Sequence, residues 1–165
     1  MVGRWLLLLF GVLCCASVGY AKEVTTPAFD RDQPIEITAQ KLEVLQVERE
    51  SIFTGNVVAI QGEMTLSADK LIIYLQKAKD QVDRLEAIGQ VRFVQLDRVA
   101  TAKRAVFYQE QQKLVLIGDA AVTQGGNTIS GDEITLFVAE DRTVVKGSKT
   151  NRVKAVIIPP KKVKK

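Results

Sequence analysis

Four octads of this chain align without gaps, and their spacing restricts the folds open to it. They are Ile37–Val44, Leu66–Ile73, Ala100–Phe107 and Ile129–Leu136, with starts 29, 34 and 29 residues apart. A glycine follows three of the starts by 18 residues, at Gly55, Gly118 and Gly147, and the other by 23, at Gly89. The five additional residues lie in the polar stretch Gln76–Arg84. After Gly55, Gly89 and Gly118 a glutamine recurs six positions on, at Gln61, Gln95 and Gln124. A unit of about 29 residues cannot bury an apolar face alone, so the copies must stack or wrap around a shared interior.

Within each copy, apolar or small residues occupy offsets 0, +2, +5 and +7. Steps of two mark one face of a half-buried strand. The step of three between +2 and +5 would flip the face of a straight strand. Both pairs can look into one interior only if the chain bends or bulges between them. Polar pairs stand at that step: Gln40-Lys41, Asp69-Lys70, Lys103-Arg104 and Asp132-Glu133, each preceded by Ala or Gly. The sequence therefore predicts strand, corner, strand, then a turn and a second run such as Gly55–Gln61. Turn signals recur at Gly62-Glu63, Gly125-Gly126-Asn127 and Asp141-Arg142. No amphipathic helix competes, because Leu71, Ile73 and Leu75 keep period two where helix formers begin. The chain reads as all-β, a two-sheet roll or a solenoid of about four repeats.

With 165 residues there is room for one domain. Histidine is absent, which removes His triads, imidazole proton shuttles and His metal sites. The two cysteines, Cys14 and Cys15, sit in the apolar run Trp5–Val18. Arg4 precedes that run, and Gly19-Tyr20-Ala21 follows with small residues at the −3 and −1 positions, the pattern of a cleaved signal peptide. The run is shorter than the ~20 residues a spanning helix needs. A lipoprotein signal would want a small residue before its Cys, where Leu13 stands before Cys14. The expected organisation is a signal peptide over 1–21, a linker over 22–34, the β domain over 35–158 and a basic tail over 159–165. Without cysteine, the exported chain relies on packing and sheet hydrogen bonds in an oxidising compartment.

Charge is divided unevenly. Residues 146–165 hold eight Lys and Arg and no acid, whereas residues 22–145 hold 14 basic against 19 acidic residues, a net of −5. The tail could meet an anionic surface or simply keep the last strand solvated. An exported, acidic body with few aromatics does not fit nucleic-acid binding.

Asp32–Ile37, Phe53-Thr54-Gly55-Asn56-Val57, Gln61-Gly62 and Ala68-Asp69-Lys70 together resemble the LptA/OstA family, over about Asp30 to Pro159. That resemblance implies an open, twisted β-jelly roll with a V-shaped groove and a periplasmic protein that carries lipopolysaccharide from inner to outer membrane. It also implies head-to-tail self-association and same-fold partners on the inner-membrane complex and the outer-membrane translocon. No cofactor, metal or catalytic pair is expected. A groove for lipid A acyl chains gains about 0.8 kcal/mol per sheltered methylene, so a continuous, unspecific lining suits passage better than one deep site. Ile35, Ile37, Ala39, Leu66, Ala68, Val91, Phe93, Val122 and Ile129 are the candidate lining, or else ordinary sandwich core. Asp69 and Asp132 recur at one offset, but Gln40 and Lys103 replace them in the other copies, so they read as corner residues rather than a carboxylate pair. Gly125-Gly126-Asn127 reads as a hairpin turn, since no helix follows to make it a phosphate loop. The competing classes are a ligand-free structural repeat protein of the cell envelope and a polysaccharide-cleaving β-solenoid. The latter would need carboxylates grouped in a cleft.

Overall fold

The computed structural model describes residues 33–78, 81–140 and 142–159. The predicted leader, most of the linker and the tail beyond Pro159 lie outside these described residues. Ten strands form one antiparallel sheet: β1 (Glu36–Thr38), β2 (Lys41–Leu45), β3 (Glu50–Gln61), β4 (Met64–Leu75), β5 (Val82–Gln95), β6 (Arg98–Tyr108), β7 (Lys113–Gln124), β8 (Asn127–Phe137), β9 (Arg142–Lys146) and β10 (Lys154–Val156). Six long strands, β3 to β8, pair in chain order. β1 and β2 both pair with β3 at one edge, and β9 and β10 both pair with β8 at the other. The sheet therefore stays open. Among the described residues no helix is long and apolar enough to cross a membrane.

Each long strand serves two half-sheets, and the device that divides them is the repeated glycine. Thr54 pairs with Lys70 and Val57 with Ala68, so β3 carries one residue more than β4 between the two pairs. The same surplus appears on β5 between Ile88 and Val91 and on β7 between Ile117 and Ala120. The bulge is a glycine with positive φ followed by a second positive-φ residue: Gly55-Asn56 (87° and 46°), Gly89-Gln90 (79° and 45°), and Gly118-Asp119 (80° and 49°). A bulge of this kind adds a residue, bends the strand and increases its twist. The sequence places the corner at the polar pairs Gln40-Lys41, Asp69-Lys70, Lys103-Arg104 and Asp132-Glu133. The structure puts the extra residue on the facing glycine, and the first polar residue of the first three pairs lies over it. A Cβ on Gly55 would meet Gln40, one on Gly89 the Asp69 carboxylate, and one on Gly118 the Lys103 stem. These glycines are needed both for φ and for the room above them.

The step from +2 to +5 now has a structural meaning. Ala68 and Leu71 on β4, and Ala102 and Ala105 on β6, are all buried on one side of the bent sheet. They join Val57, Ala87, Val91, Ala100, Leu116, Ala120 and Ile134 in a single core. The fourth copy departs from this pattern. After β9 the chain leaves the ladder in a loop in which Ser148 N–H donates to the Asn151 carbonyl at 2.8 Å. Asn151 Nδ2 donates to Asp132 Oδ1 at 2.7 Å, and bonds from Ser148 and Asn151 hold the Asp132 carboxyl below its ordinary pKa.

The outer face is closed by charge and aromatic pairs. Tyr74, Arg84, Tyr108, Lys113, Phe137 and Arg142 follow one another across six strands in register. Arg84 lies 3.7 Å over the Tyr74 ring, Lys113 4.5 Å over Tyr108, and Arg142 3.8 Å over Phe137. Beside them the buried Glu86 accepts from Arg104 Nε at 2.7 Å.

Replacing Gly89 by Val should lower unfolding free energy by about 2 kcal/mol or more, because a β-branched residue at positive φ is strained and its Cβ meets Asp69. Urea unfolding of the variant measures this. An unchanged midpoint would show that the bulge is dispensable.

Candidate functional site

Between the inner faces of the two half-sheets lies a cavity of about 220 Å³. Its walls are rows of side chains set by strand register. One half-sheet contributes the row Ala59, Leu66, Phe93, Ala100 and Val122. The other contributes Leu85, Phe107, Leu114 and Leu136, again on successive strands. Where the halves meet, Leu71, Ala87, Val91, Ala105 and Leu116 form the floor. Alanines at 87, 100 and 105 alternate with larger residues, and this mixture leaves space that interdigitating large side chains would have filled.

The two ends of the cavity differ. Toward the β3–β4 and β5–β6 turns the lining becomes Gln61, Met64, Gln95 and Arg98. Pairing of Gln61 with Met64, Met64 with Gln95, Gln95 with Arg98, and Arg98 with Gln124 makes these one row. Arg98 donates from Nε and Nη2 to Gln124 Oε1, at 3.3 and 3.1 Å. Toward the opposite hairpins the lining is apolar up to Val138. No carboxylate among the described residues lines the cavity. Among the described residues no group of three His, Cys, Asp or Glu side chains could hold a metal.

The residues singled out from sequence fall in different places. Ile35, Leu66, Val91, Phe93 and Val122 line the cavity. Ile129 pairs with Val122 and extends its row toward β10, where it is 38% exposed. Ile37 packs against the core from the edge strand, Ala68 lies within the core, and Ala39 is exposed between β1 and β2. Asp69 and Asp132 lie on β4 and β8, with three strands between them, so they are not paired.

The second wall was not picked out beforehand, although Leu71, Ala105, Phe107 and Leu136 hold the +5 and +7 offsets of their copies. The recurring glutamines also had a readable signal. Positions +2, +4 and +6 from a bulge glycine share one face, so Val57, Ala59 and Gln61 point the same way, as do Val91, Phe93 and Gln95.

Because Phe93 borders the cavity and Ile134, away from its lining, is 0% exposed in the core, their truncations should differ. Ile134→Ala should cost about 2–5 kcal/mol, and Phe93→Ala clearly less than the ~3–5 kcal/mol of a closed-core phenylalanine. Equal, large losses in chemical denaturation would mean that Phe93 is closed in.

Comparison with known proteins follows the same lines. The chain is 29% identical over 143 residues to the lipopolysaccharide export system protein LptA of Escherichia coli K12, covering 81% of this chain and 77% of that protein. It is 26% identical over 170 residues to the lipopolysaccharide export system protein LptH of Pseudomonas aeruginosa, covering 94% of both. The crystal structure of LptH, described as the LptA-homologous periplasmic component of a lipopolysaccharide transport device, superposes with a TM-score of 0.70 at 23% identity. That match covers 79% of this chain and 99% of LptH. Residues 36–142, which hold all the bulges and both walls of the cavity, match the LptA/(LptD N-terminal domain) LPS transport protein family, and the chain belongs to that family.

Proposed function

We propose that this chain is a periplasmic lipopolysaccharide-binding protein that helps bridge the inner and outer membranes and passes the lipid along its apolar groove. The observation that carries this reading is the groove itself: two facing rows of aliphatic and aromatic side chains, in a family of lipopolysaccharide transport proteins. Acyl chains between Phe93 and Leu66 on one side and Phe107 and Leu114 on the other would leave water, at about 0.8 kcal/mol per methylene. The rows cross several strands without a closed pocket, so a chain can shift along them while exchanging one apolar contact for another. On this reading the protein is a carrier without catalysis of its own. Residues 1–21 serve as the leader that exports it, and directional energy comes from partners.

Passage between membranes also needs a route longer than one molecule. The open edges are rich in exposed apolar residues: Ile35, Leu42 and Val44 on one side, and Val153, Val156, Ile157 and Ile158 on the other. Unpaired strand edges extend by backbone hydrogen bonding to another chain. A copy, or a partner of the same fold, docked on β1–β2 or on β9–β10 would continue both half-sheets and align one groove with the next.

A photoreactive residue in place of Phe93 should form an adduct with lipopolysaccharide in cells that make it, while one at Glu43, exposed on β2, should not. A folded, exported protein that gives no adduct at Phe93 would return the interior to the role of closed core. In sedimentation experiments the purified protein should grow in mass with concentration, and Ile157→Glu should shift that growth to higher concentration. A species that stays monomeric throughout would remove the end-to-end arrangement.

A further inference from the structure

Among the described residues Arg98 is the one charged side chain lining the cavity. Its place and its partner both bear on what the groove holds. It opens β6 at the turn end of the groove, flanked in register by Gln95 and Gln124. A guanidinium carries five N–H donors. The hydrogen bonds that hold it run to the Gln124 amide oxygen, from Nε and Nη2. Among the described residues no carboxylate pairs with it, and its neighbour Asp97 sits in the turn, with Oδ2 facing Gly125. An amide acceptor orients the guanidinium without neutralising it, which a glutamate at 124 would do.

The surroundings sharpen this contrast. Elsewhere in the two half-sheets Lys41 is matched to Glu43, Arg104 to Glu86, Lys103 to Asp119 and Lys146 to Glu133. At the far end the groove is lined by Leu85, Phe107, Leu114, Leu136 and Val138, with no polar side chain among them. The groove is thus amphiphilic along its length, cationic and amide-lined at the turns and apolar at the hairpins opposite. Arg forks suit phosphate oxygens better than any other side chain, and the amide of Gln95 offers a further donor in the same row.

We infer that Arg98, oriented by Gln124, anchors a phosphate of the lipid headgroup at the turn end of the groove and so fixes which way the bound lipid points. This rests on the reading of the cavity as a lipid groove. Acyl chains then run toward Phe107 and Leu136. Each hand-over of lipid between copies requires exchange of one phosphate–arginine contact, strong enough to orient the lipid and open enough to solvent to release it.

The test uses displacement of the apolar dye N-phenylnaphthylamine from the purified protein by diphosphoryl lipid A or by the same lipid stripped of both phosphates. The unsubstituted protein should prefer the phosphorylated lipid by about tenfold, as expected for a charge-assisted contact. Arg98→Gln should erase that preference by weakening the phosphorylated lipid about tenfold more than the stripped one, and Arg98→Lys should keep part of it. Gln124→Glu, an exposed site where the fold is not at stake, should erase it too, by pairing the guanidinium internally. Survival of the preference in Arg98→Gln and Gln124→Glu would overturn the assignment, as would equal displacement by both lipids from the unsubstituted protein. Failure of either lipid to displace the dye would instead bring down the groove reading along with it. Inorganic phosphate added alone should not compete with the phosphorylated lipid. Competition at the lipid's own concentration would mark a free-anion site and overturn the headgroup anchor.

Discussion

Everything in this fold depends on how a strand of twelve or so residues turns from one half-sheet into the other without breaking its ladder. The solution is a pair of left-handed residues, a glycine and the one after it, set once in each of β3, β5 and β7. Non-glycine residues pay of order 1 kcal/mol for positive φ, so Asn56, Gln90 and Asp119 are held there by what surrounds them. The hold comes from both directions: a side chain lies over each glycine, and the residue after each bulge, Val57, Val91 or Ala120, is buried in the core. Val57 and Val91, directly after two of the bulges, are each 2% exposed. Were the bulges removed, the rows beyond them would turn to the other face and the interior would lose one of its walls.

Bending creates the interior, but residue size decides that it is not filled. The row through Phe93 sets it between Leu66 and Ala100, and the floor carries Ala87 and Ala105 beside Leu71 and Leu116. Small residues where the half-sheets meet let them approach, while leucines and phenylalanines farther out hold them apart. The result is a wedge with apolar walls rather than a sandwich with a dry, packed centre. The same edges that keep the sheet from closing leave this wedge open at its ends. Openness and apolar lining, which an isolated soluble domain would avoid, belong together in a carrier whose cargo must enter and leave.

Much of this was readable from the linear pattern. The unequal step from +2 to +5 implied a bend with both pairs looking inward, and Ala68 with Leu71 and Ala102 with Ala105 are arranged so. The location of the bend was less legible. A polar pair and a glycine both suit a corner, and only the pairing of facing strands tells which one carries the surplus residue. The second wall was missed for a similar reason. Leu85 and Leu114 each stand four residues before a bulge glycine, but the bulge separates that arm of the strand from the arm after it, and the inward direction shows only in the pairing with Phe107 and Leu136. Ala39 is a converse case. It holds the +2 offset of the first copy, but at the edge no strand covers it, and it stays exposed.

Sequence by itself determined the all-β class, the repeated bend, the inward alternation of each strand and the family, because these rest on local periodicity and on residues at fixed spacing. Only the tertiary structure decided which inward residues border space and which are packed, since a void is a property of several strands' volumes at once. It also decided that Arg98, one of many basic residues at turns, meets a glutamine and not a carboxylate. That distinction depends on register between β6 and β7, and no spacing along a single chain encodes it without the fold.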